Sequence, residues 1–205
     1  MIAWLEGVLR ELAPTRVVVD VGGVGYELHV PLSTFTELPN EGKSIALYVH
    51  THAREGAIQL FGFHTSAERE AFELLLRASR VGPKLAQTIL SGISPAELLD
   101  AIRGGNLNLL RATPGIGTKT AERILVELRD RTHDLAAAIS PEAAGPTSDE
   151  TDSTARIRDQ TLSALLNLGY PKSHAERALV GAQEEAGPQA DLEALVRVSL
   201  RRLAR

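Results

Sequence analysis

The sequence predicts a multidomain chain, β first and α after. A small five-stranded barrel leads, a helical domain with an internal repeat follows, then a flexible acidic linker, then a module of three short helices. Three observations predict this order. Apolar residues in 1–63 recur with a period near two, and in the remainder with a period near 3.6. The middle of the chain matches itself at an offset of 35 residues. Residues 134–153 hold five acids and no base, with Pro, Gly, Ser and Thr gathered towards their end.

Ile2 to Leu12 alternates loosely, Val17 to Val21 is a β-branched run broken only by Asp20, and Tyr26 to Val30 alternates cleanly. Between the last two lies Gly22-Gly23-Val24-Gly25, a hairpin connection in which glycine supplies positive φ. Ser44 to Ala53 and Ala57 to Phe63 make a second hairpin, closed by Arg54-Glu55-Gly56. Five strands in about 60 residues, joined by polar turns, favour a closed barrel, and an OB-like barrel is the commonest solution at this size.

The period changes after His64. Thr65-x-x-Glu68 is a capping box that opens a helix running to about Ala78. Pro83 to Ser91 is a second helix, ended by Gly92. Ser94-Pro95-Ala96-Glu97 is another capping box, with Pro at the first helical position, and its helix stops at Gly104-Gly105. A short helix follows Asn106, and a longer one runs from Thr118 to about Arg131. Leu135 to Ile139 has apolar residues that admit one more helix before the acidic stretch. In the last 52 residues, 154–205, Ser153 or Thr154 is expected to cap the first helix, Ser173-x-x-Glu176 the second and Asp191 the third. The expected division is 1–64, 65–143, 144–153 for the linker, and 154–205.

Composition narrows the function. The chain of 205 residues is 43% hydrophobic and 4% aromatic, with 22 Lys+Arg against 26 Asp+Glu, which excludes a disordered or collagen-like chain. No run approaches the ~20 apolar residues that span a bilayer. The N-terminus lacks a basic stretch followed by an apolar one, so no signal peptide is expected. Cysteine is absent, which excludes disulfides, Fe–S clusters and Cys-ligated zinc. A cytoplasmic chain without membrane contact, metal or other cofactor is expected. The net charge of −4 argues superficially against nucleic acid, but it is unevenly spread. Residues 1–63 carry 4 bases and 7 acids, whereas 64–133 carry 10 bases and 8 acids.

The repeat points to function. Leu74, Leu75, Gly82, Lys84, Ala86, Ile89 and Leu90 fall on Leu109, Leu110, Gly117, Lys119, Ala121, Ile124 and Leu125. These are seven identities in 17 positions, where chance gives roughly one. Each copy reads as helix, tight Gly turn, then a helix with Lys in its first turn. A helix N-terminus presents unpaired N–H groups and the positive end of the dipole, which suit an anion. Glycine lets a phosphate approach the backbone, and lysine adds charge on the same side. Such a site grips sugar-phosphate without reading bases. Two ordinary helical hairpins would not explain why Gly and Lys recur together.

Pro114-Gly115-Ile116-Gly117-Thr118-Lys119-Thr120-Ala121-Glu122-Arg123 resembles a helix-hairpin-helix DNA-binding motif. The whole chain resembles the RuvA family, the Holliday-junction-binding subunits of the bacterial branch-migration machine. Further matches are Val21-Gly22-Gly23-Val24-Gly25-Tyr26-Glu27, Leu60-Phe61-Gly62-Phe63, Val81-Gly82-Pro83-Lys84-Leu85-Ala86 and Leu168-Gly169-Tyr170. The resemblance implies an OB domain that builds a homotetramer or a pair of tetramers. It also implies a tandem helix-hairpin-helix domain that holds the arms of four-way junction DNA, and a mobile C-terminal domain. This last domain, residues 154–205, is implied to bind the hexameric ATPase RuvB, with the resolvase RuvC as a further partner. Carried over by position, Gly82, Lys84, Gly115, Gly117, Lys119 and Arg123 contact phosphates. Leu168 and Tyr170 are candidates for the motor contact.

Two departures from the family pattern stand out. Arg80 replaces a usual glycine, which makes the first turn less permissive but adds a cation that can itself reach a phosphate. The tip Arg54-Glu55-Gly56 corresponds to the family's acidic pin, which has two adjacent acids where this chain keeps only Glu55.

Other signals are weaker. Gly42-Lys43-Ser44 lacks the earlier glycine of a P-loop, and Gly23-x-Gly25 lacks the third glycine of a dinucleotide fingerprint. His50 and His52 share a strand face without a visible third ligand. Asp149, Glu150 and Asp152 lie in the acidic stretch, where no scaffold holds them as a nuclease centre. Arg197, Arg201 and Arg202 read as a solvated helix face. Two rival functions remain open at this point. One is a helix-hairpin-helix DNA glycosylase, with Asp130 or Asp134 in the catalytic place. The other is a single-strand-binding OB protein, which needs aromatic platforms among Trp4, Tyr26, Phe35, Tyr48, Phe61 and Phe63. No nucleophile–base pair or metal cluster stands out, so a non-catalytic junction-binding subunit is expected.

Overall fold

The structure is a computed structural model that describes residues 1–139, 150–187 and 190–203. Strands β1 (Trp4–Ala13), β2 (Arg16–Val21), β3 (Val24–His29), β4 (Ser44–Arg54) and β5 (Ala57–Phe63) form a closed barrel in the order β1-β2-β3-β5-β4. The predicted five-stranded barrel is therefore present. Its one parallel pairing, β3 with β5, closes the cylinder.

Ile45, Leu47 and Val49 point inward at a period of two and meet Leu5, Leu9, Val17, Val19 and Leu28. The alternation in β1 is loose because the register to β2 shifts between Leu9 and Glu11, a bulge that moves the inward face by one residue. The β2–β3 connection is tighter than the four residues expected. Only Gly22 (φ 62°) and Gly23 (φ 92°) turn, and Val24 and Gly25 already pair in β3. Positive φ at both central residues is the type I′ geometry that suits the strand twist.

A short helix not anticipated from the sequence, α1 (Leu32–Glu37), bridges β3 and β4. With six residues it is too short to display a period of 3.6. Helix α2 (Ser66–Leu76) opens with the expected capping box between Thr65 and Glu68. Glu68 does more than cap. Its buried carboxylate accepts hydrogen bonds from Ser33 Oγ (2.6 Å), Thr34 Oγ1 (3.0 Å), His64 N (2.9 Å) and Thr65 N (3.2 Å). It thus joins α1 to the β5–α2 corner.

Helices α3 (Pro83–Leu90), α4 (Pro95–Gly104), α5 (Leu107–Arg111), α6 (Thr118–Leu128) and α7 (His133–Ile139) follow. Their termini carry the expected signals: the Ser94–Glu97 capping box, Asn106 accepting from Leu109 N, and Gly105 left-handed after α4. One core runs from Phe61 and Phe63 through Phe72, Ile89, Leu98, Ile102, Leu110 and Ile124 to Leu135. The barrel and these helices accordingly form one compact unit, Met1–Ala144. Helix α3 is also tied to the barrel by polar bonds. Gln87 Nε2 donates to Val30 O (2.6 Å), and Ser91 Oγ accepts from Leu32 N (3.0 Å).

The second unit, Gly145–Arg205, holds α8 (Glu150–Asn167), α9 (Lys172–Ala186) and α10 (Leu192–Leu203). Leu165, Ala175, Leu179, Ala182 and Leu195 are buried in it. Asp191 caps α10 through Ala194 N, as expected (2.8 Å). Two expected caps are displaced. Helix α8 spans Glu150–Asn167, so Ser153 and Thr154 lie inside it. Helix α9 begins at Lys172 with Pro171 at its N-cap, so Ser173 is already helical and no side chain caps that end. Of the stretch 144–153, residues 144–149 lie outside the described ones, and 150–153 start α8. Among the described residues, no helix is long and apolar enough to cross a membrane.

Candidate nucleic-acid interface

The repeat forms two structurally similar turns. In the first, Val81 N donates to Ala78 O (3.2 Å), and Arg80 at the third position has φ 66°. In the second, Ile116 N donates to Thr113 O (3.1 Å), and Gly115 at the third position has φ 88°. A 4→1 hydrogen bond with positive φ only at the third residue marks a type II turn. Each turn delivers the chain to a glycine N-cap with ordinary extended backbone, Gly82 (φ −96°) before α3 and Gly117 (φ −86°) before α6. Neither N-terminus has a side-chain cap, whereas α2, α4 and α5 do.

Burial divides the recurring residues into two groups. Leu75 and Leu110, Ala86 and Ala121, and Ile89 and Ile124 are all buried, so these identities serve packing. The alanines let the paired helices approach. Gly82, Gly117, Lys84 and Lys119 are exposed in both copies. A Cβ at Gly82 or Gly117 would meet no protein atom within 4 Å, and neither φ requires glycine. The fold itself therefore has no use for glycine or lysine at these places. What glycine leaves open is the space outside the helix N-terminus, where α3 and α6 present their unpaired N–H groups.

The two hairpins belong to one body. A Cβ on Gly115 would lie 3.6 Å from Leu85 Cδ1 of α3. In the other direction, Glu127 Oε2 of α6 accepts from Ser79 N in the first turn (2.7 Å). That bond, helped by the Ser79 side chain and less by nearby Arg123 and Arg131, holds the Glu127 carboxyl below its usual range against the opposing effect of burial. Arg123 is half-buried, with its Nε 3.9 Å from Glu127 Oε1. Arg80 is exposed in the first turn. The structure thus gathers Arg80, Gly82, Lys84, Gly115, Gly117, Lys119 and Arg123 on the double hairpin. Glu127 and Gln87 were not legible in the sequence. Ser79 and Glu127 are 48 residues apart, and Gln87 and Val30 are 57 apart, with no motif linking them.

The other candidates lie elsewhere. Glu55 is exposed at the β4–β5 tip, beside Gly56 with φ 79°. In the second unit, Leu168 is exposed and Tyr170 half-buried in the turn after α8, where Tyr170 N donates to Leu165 O (3.2 Å). His50 pairs with Glu73 (3.1 Å), which lowers the Glu73 carboxyl's affinity for protons. Arg197 pairs with Glu193, and Arg201 and Arg202 with Glu185, as a solvated helix face does. Phe61 and Phe63 are core residues and offer no stacking platform.

Comparison with known proteins agrees with this organisation. A family model described as "RuvA N terminal domain" matches residues 1–62, and one described as "SAM-like Helix-hairpin-helix tandem" matches 72–130. A third, "RuvA, C-terminal domain", matches 156–204. A Geobacter sulfurreducens protein is 45% identical over 201 residues, 98% of each chain. Proteins of Syntrophotalea carbinolica and Syntrophobacter fumaroxidans are each 45% identical, over 205 and 204 residues and 100% of each chain. All three are named "Holliday junction branch migration complex subunit RuvA". The chain belongs to the RuvA family. The RuvA matches cover the barrel and the last three helices as well as the hairpins. A glycosylase or an isolated OB protein shares only one of those parts, so neither rival is favoured.

Proposed function

We propose that this RuvA-family chain binds four-way DNA junctions as the non-catalytic subunit of an ATP-driven branch-migration complex in recombination and repair. The recurrence of an exposed glycine N-cap and an exposed lysine, over a shared and otherwise explained core, carries the reading. The N–H groups at the starts of α3 and α6 receive phosphate oxygens. Lys84 and Lys119 neutralise them, and Gly82, Gly115 and Gly117 keep the approach clear. Arg80 and Arg123 add charge beside the two turns. Since these contacts address backbone and not bases, selectivity comes from arm geometry. A homotetramer, or two facing each other, supplies that geometry with one double hairpin per protomer.

In this assembly the β4–β5 tips meet near the crossover, and Glu55 acts as a one-acid pin that repels phosphates and keeps strands apart. Residues 1–64 serve assembly, 65–143 bind DNA, 144–149 tether, and 150–205 engage the hexameric ATPase RuvB through Leu168 and Tyr170. The resolvase RuvC meets the same junction, and the complex works in the cytoplasm.

Junction binding by the Lys119→Ala variant, titrated against salt, tests the reading. The affinity falls, and the slope of log K against log[salt] becomes shallower by about 0.9 for the lost phosphate contact. An unchanged slope removes Lys119 from the interface. Glu55→Gln is expected to tighten junction binding by about two- to five-fold at low salt and to lose that effect as salt screens the tip. A variant that binds like the parent at every salt concentration makes Glu55 a solvated tip only.

A further inference from the structure

The two hairpins reach the same turn geometry from unequal sequences. The second uses Pro114-Gly115, the pair a type II turn favours: proline presets φ at its position, and glycine takes positive φ freely. The first uses Ser79-Arg80. Arg80 (φ 66°) and Thr15 (φ 67°) are the two non-glycine residues with positive φ among those described, a conformation a Cβ disfavours. Ser79 also keeps an N–H that Pro114 lacks. That N–H donates to Glu127 Oε2 at 2.7 Å. The carboxylate is delivered from a fixed element, since Ile124 and Leu128 on the same helix are fully buried. A charge-assisted bond of this length is among the stronger kinds. The 35-residue offset maps Glu127 onto Gly92, so the second turn has no corresponding support.

We infer that Glu127 is a positioning residue for DNA binding: α6 of the second hairpin holds the turn of the first in its left-handed conformation. This rests on the reading of the hairpins as phosphate clamps. Without the bond, Ser79 and Arg80 relax towards ordinary backbone, and the Gly82 N-cap and Lys84 move away from the position that matches Gly117 and Lys119.

Junction binding is measured with the full chain carrying Glu127→Ala or Glu127→Gln, each with and without Arg80→Gly. Unfolding is followed by circular dichroism. Glu127→Ala weakens binding by about five- to ten-fold, the cost of an unsupported left-handed residue. Glu127→Gln, which keeps the acceptor, stays within about two-fold. In the Arg80→Gly background the cost of Glu127→Ala shrinks to about two-fold or less, because glycine needs no support. If Glu127→Ala does not fold, Glu127→Asp, which keeps the charge but shortens the reach, is expected to show the same loss and the same relief. Three outcomes overturn the inference. Tighter binding by Glu127→Ala makes the carboxylate a competitor for the Ser79 amide. Equal damage from Gln and Ala makes its charge decisive. A cost unchanged by Arg80→Gly removes the link to the turn. Lys84→Ala is the separate control: if it leaves junction affinity and salt slope unchanged, the phosphate-clamp reading fails whatever Glu127 does.

Discussion

Glu68→Ala is expected to destabilise the N-terminal unit by about 2–3 kcal/mol, because one buried donor and three part-buried ones lose a shared acceptor, the buried one at about 1–3 kcal/mol and the others at less because water recovers part. The Glu68 carboxylate accepts from two hydroxyls and two backbone N–H groups, and the residue is 6% exposed. His64 N has a second acceptor in Thr34 Oγ1 (3.1 Å), so the main loss falls on the two hydroxyls and Thr65 N. Glu68→Gln keeps one acceptor oxygen but turns an NH₂ towards donors, so it falls between parent and Ala. Chemical unfolding of the three proteins measures the order. A loss below about 1 kcal/mol for the alanine variant would reduce Glu68 to an ordinary helix cap. The consequence reaches DNA binding, because α2 is the first helix of the first hairpin.

Truncation after Asp149 is expected to leave junction binding within about two-fold of the full chain and to abolish stimulation of the motor ATPase. The removed helices α8, α9 and α10 have their own buried residues, and the double hairpin has its core in Met1–Ala144. Leu168, 60% exposed in the turn after α8, is the side chain that the proposed reading turns towards the motor. Gel shifts on a four-way junction and ATPase assays with RuvB separate the two effects. Loss of junction binding on truncation would overturn the assignment of DNA binding to the double hairpin. Motor stimulation that persists would move the motor contact into the first unit.

Much of the local structure was legible. The barrel strands β2 and β4 alternate because one face is buried, and a period of two is visible along the chain. The caps at Thr65, Ser94, Asn106 and Asp191 were legible because capping satisfies N–H groups two or three residues away. The same rule misplaced the starts of α8 and α9. Ser153 and Ser173 have capping chemistry, but α8 includes Glu150 and α9 starts at Lys172 after Pro171, so both serines lie inside their helices. Helix α1 was too short to show a period.

The candidate site divides in the same way. The exposed Gly and Lys of each hairpin were found by comparing the chain with itself, since both copies repeat the same local chemistry. Glu127 was not, because its bond to Ser79 closes across 48 residues and the repeat offers no second copy of it.

By itself, the sequence determined the order of β and α regions, the turns and most helix starts, and the recurrence of Gly and Lys at the starts of α3 and α6. Each of these depends on interactions within a few residues, where composition and spacing leave a direct trace. Only the tertiary structure decided how β3 and β5 close the barrel, that Glu68 gathers four donors, that Gln87 ties α3 to the barrel, and that α6 supports the turn at Arg80. Those contacts join residues brought together by packing, and the identity of either partner alone carries no sign of the other.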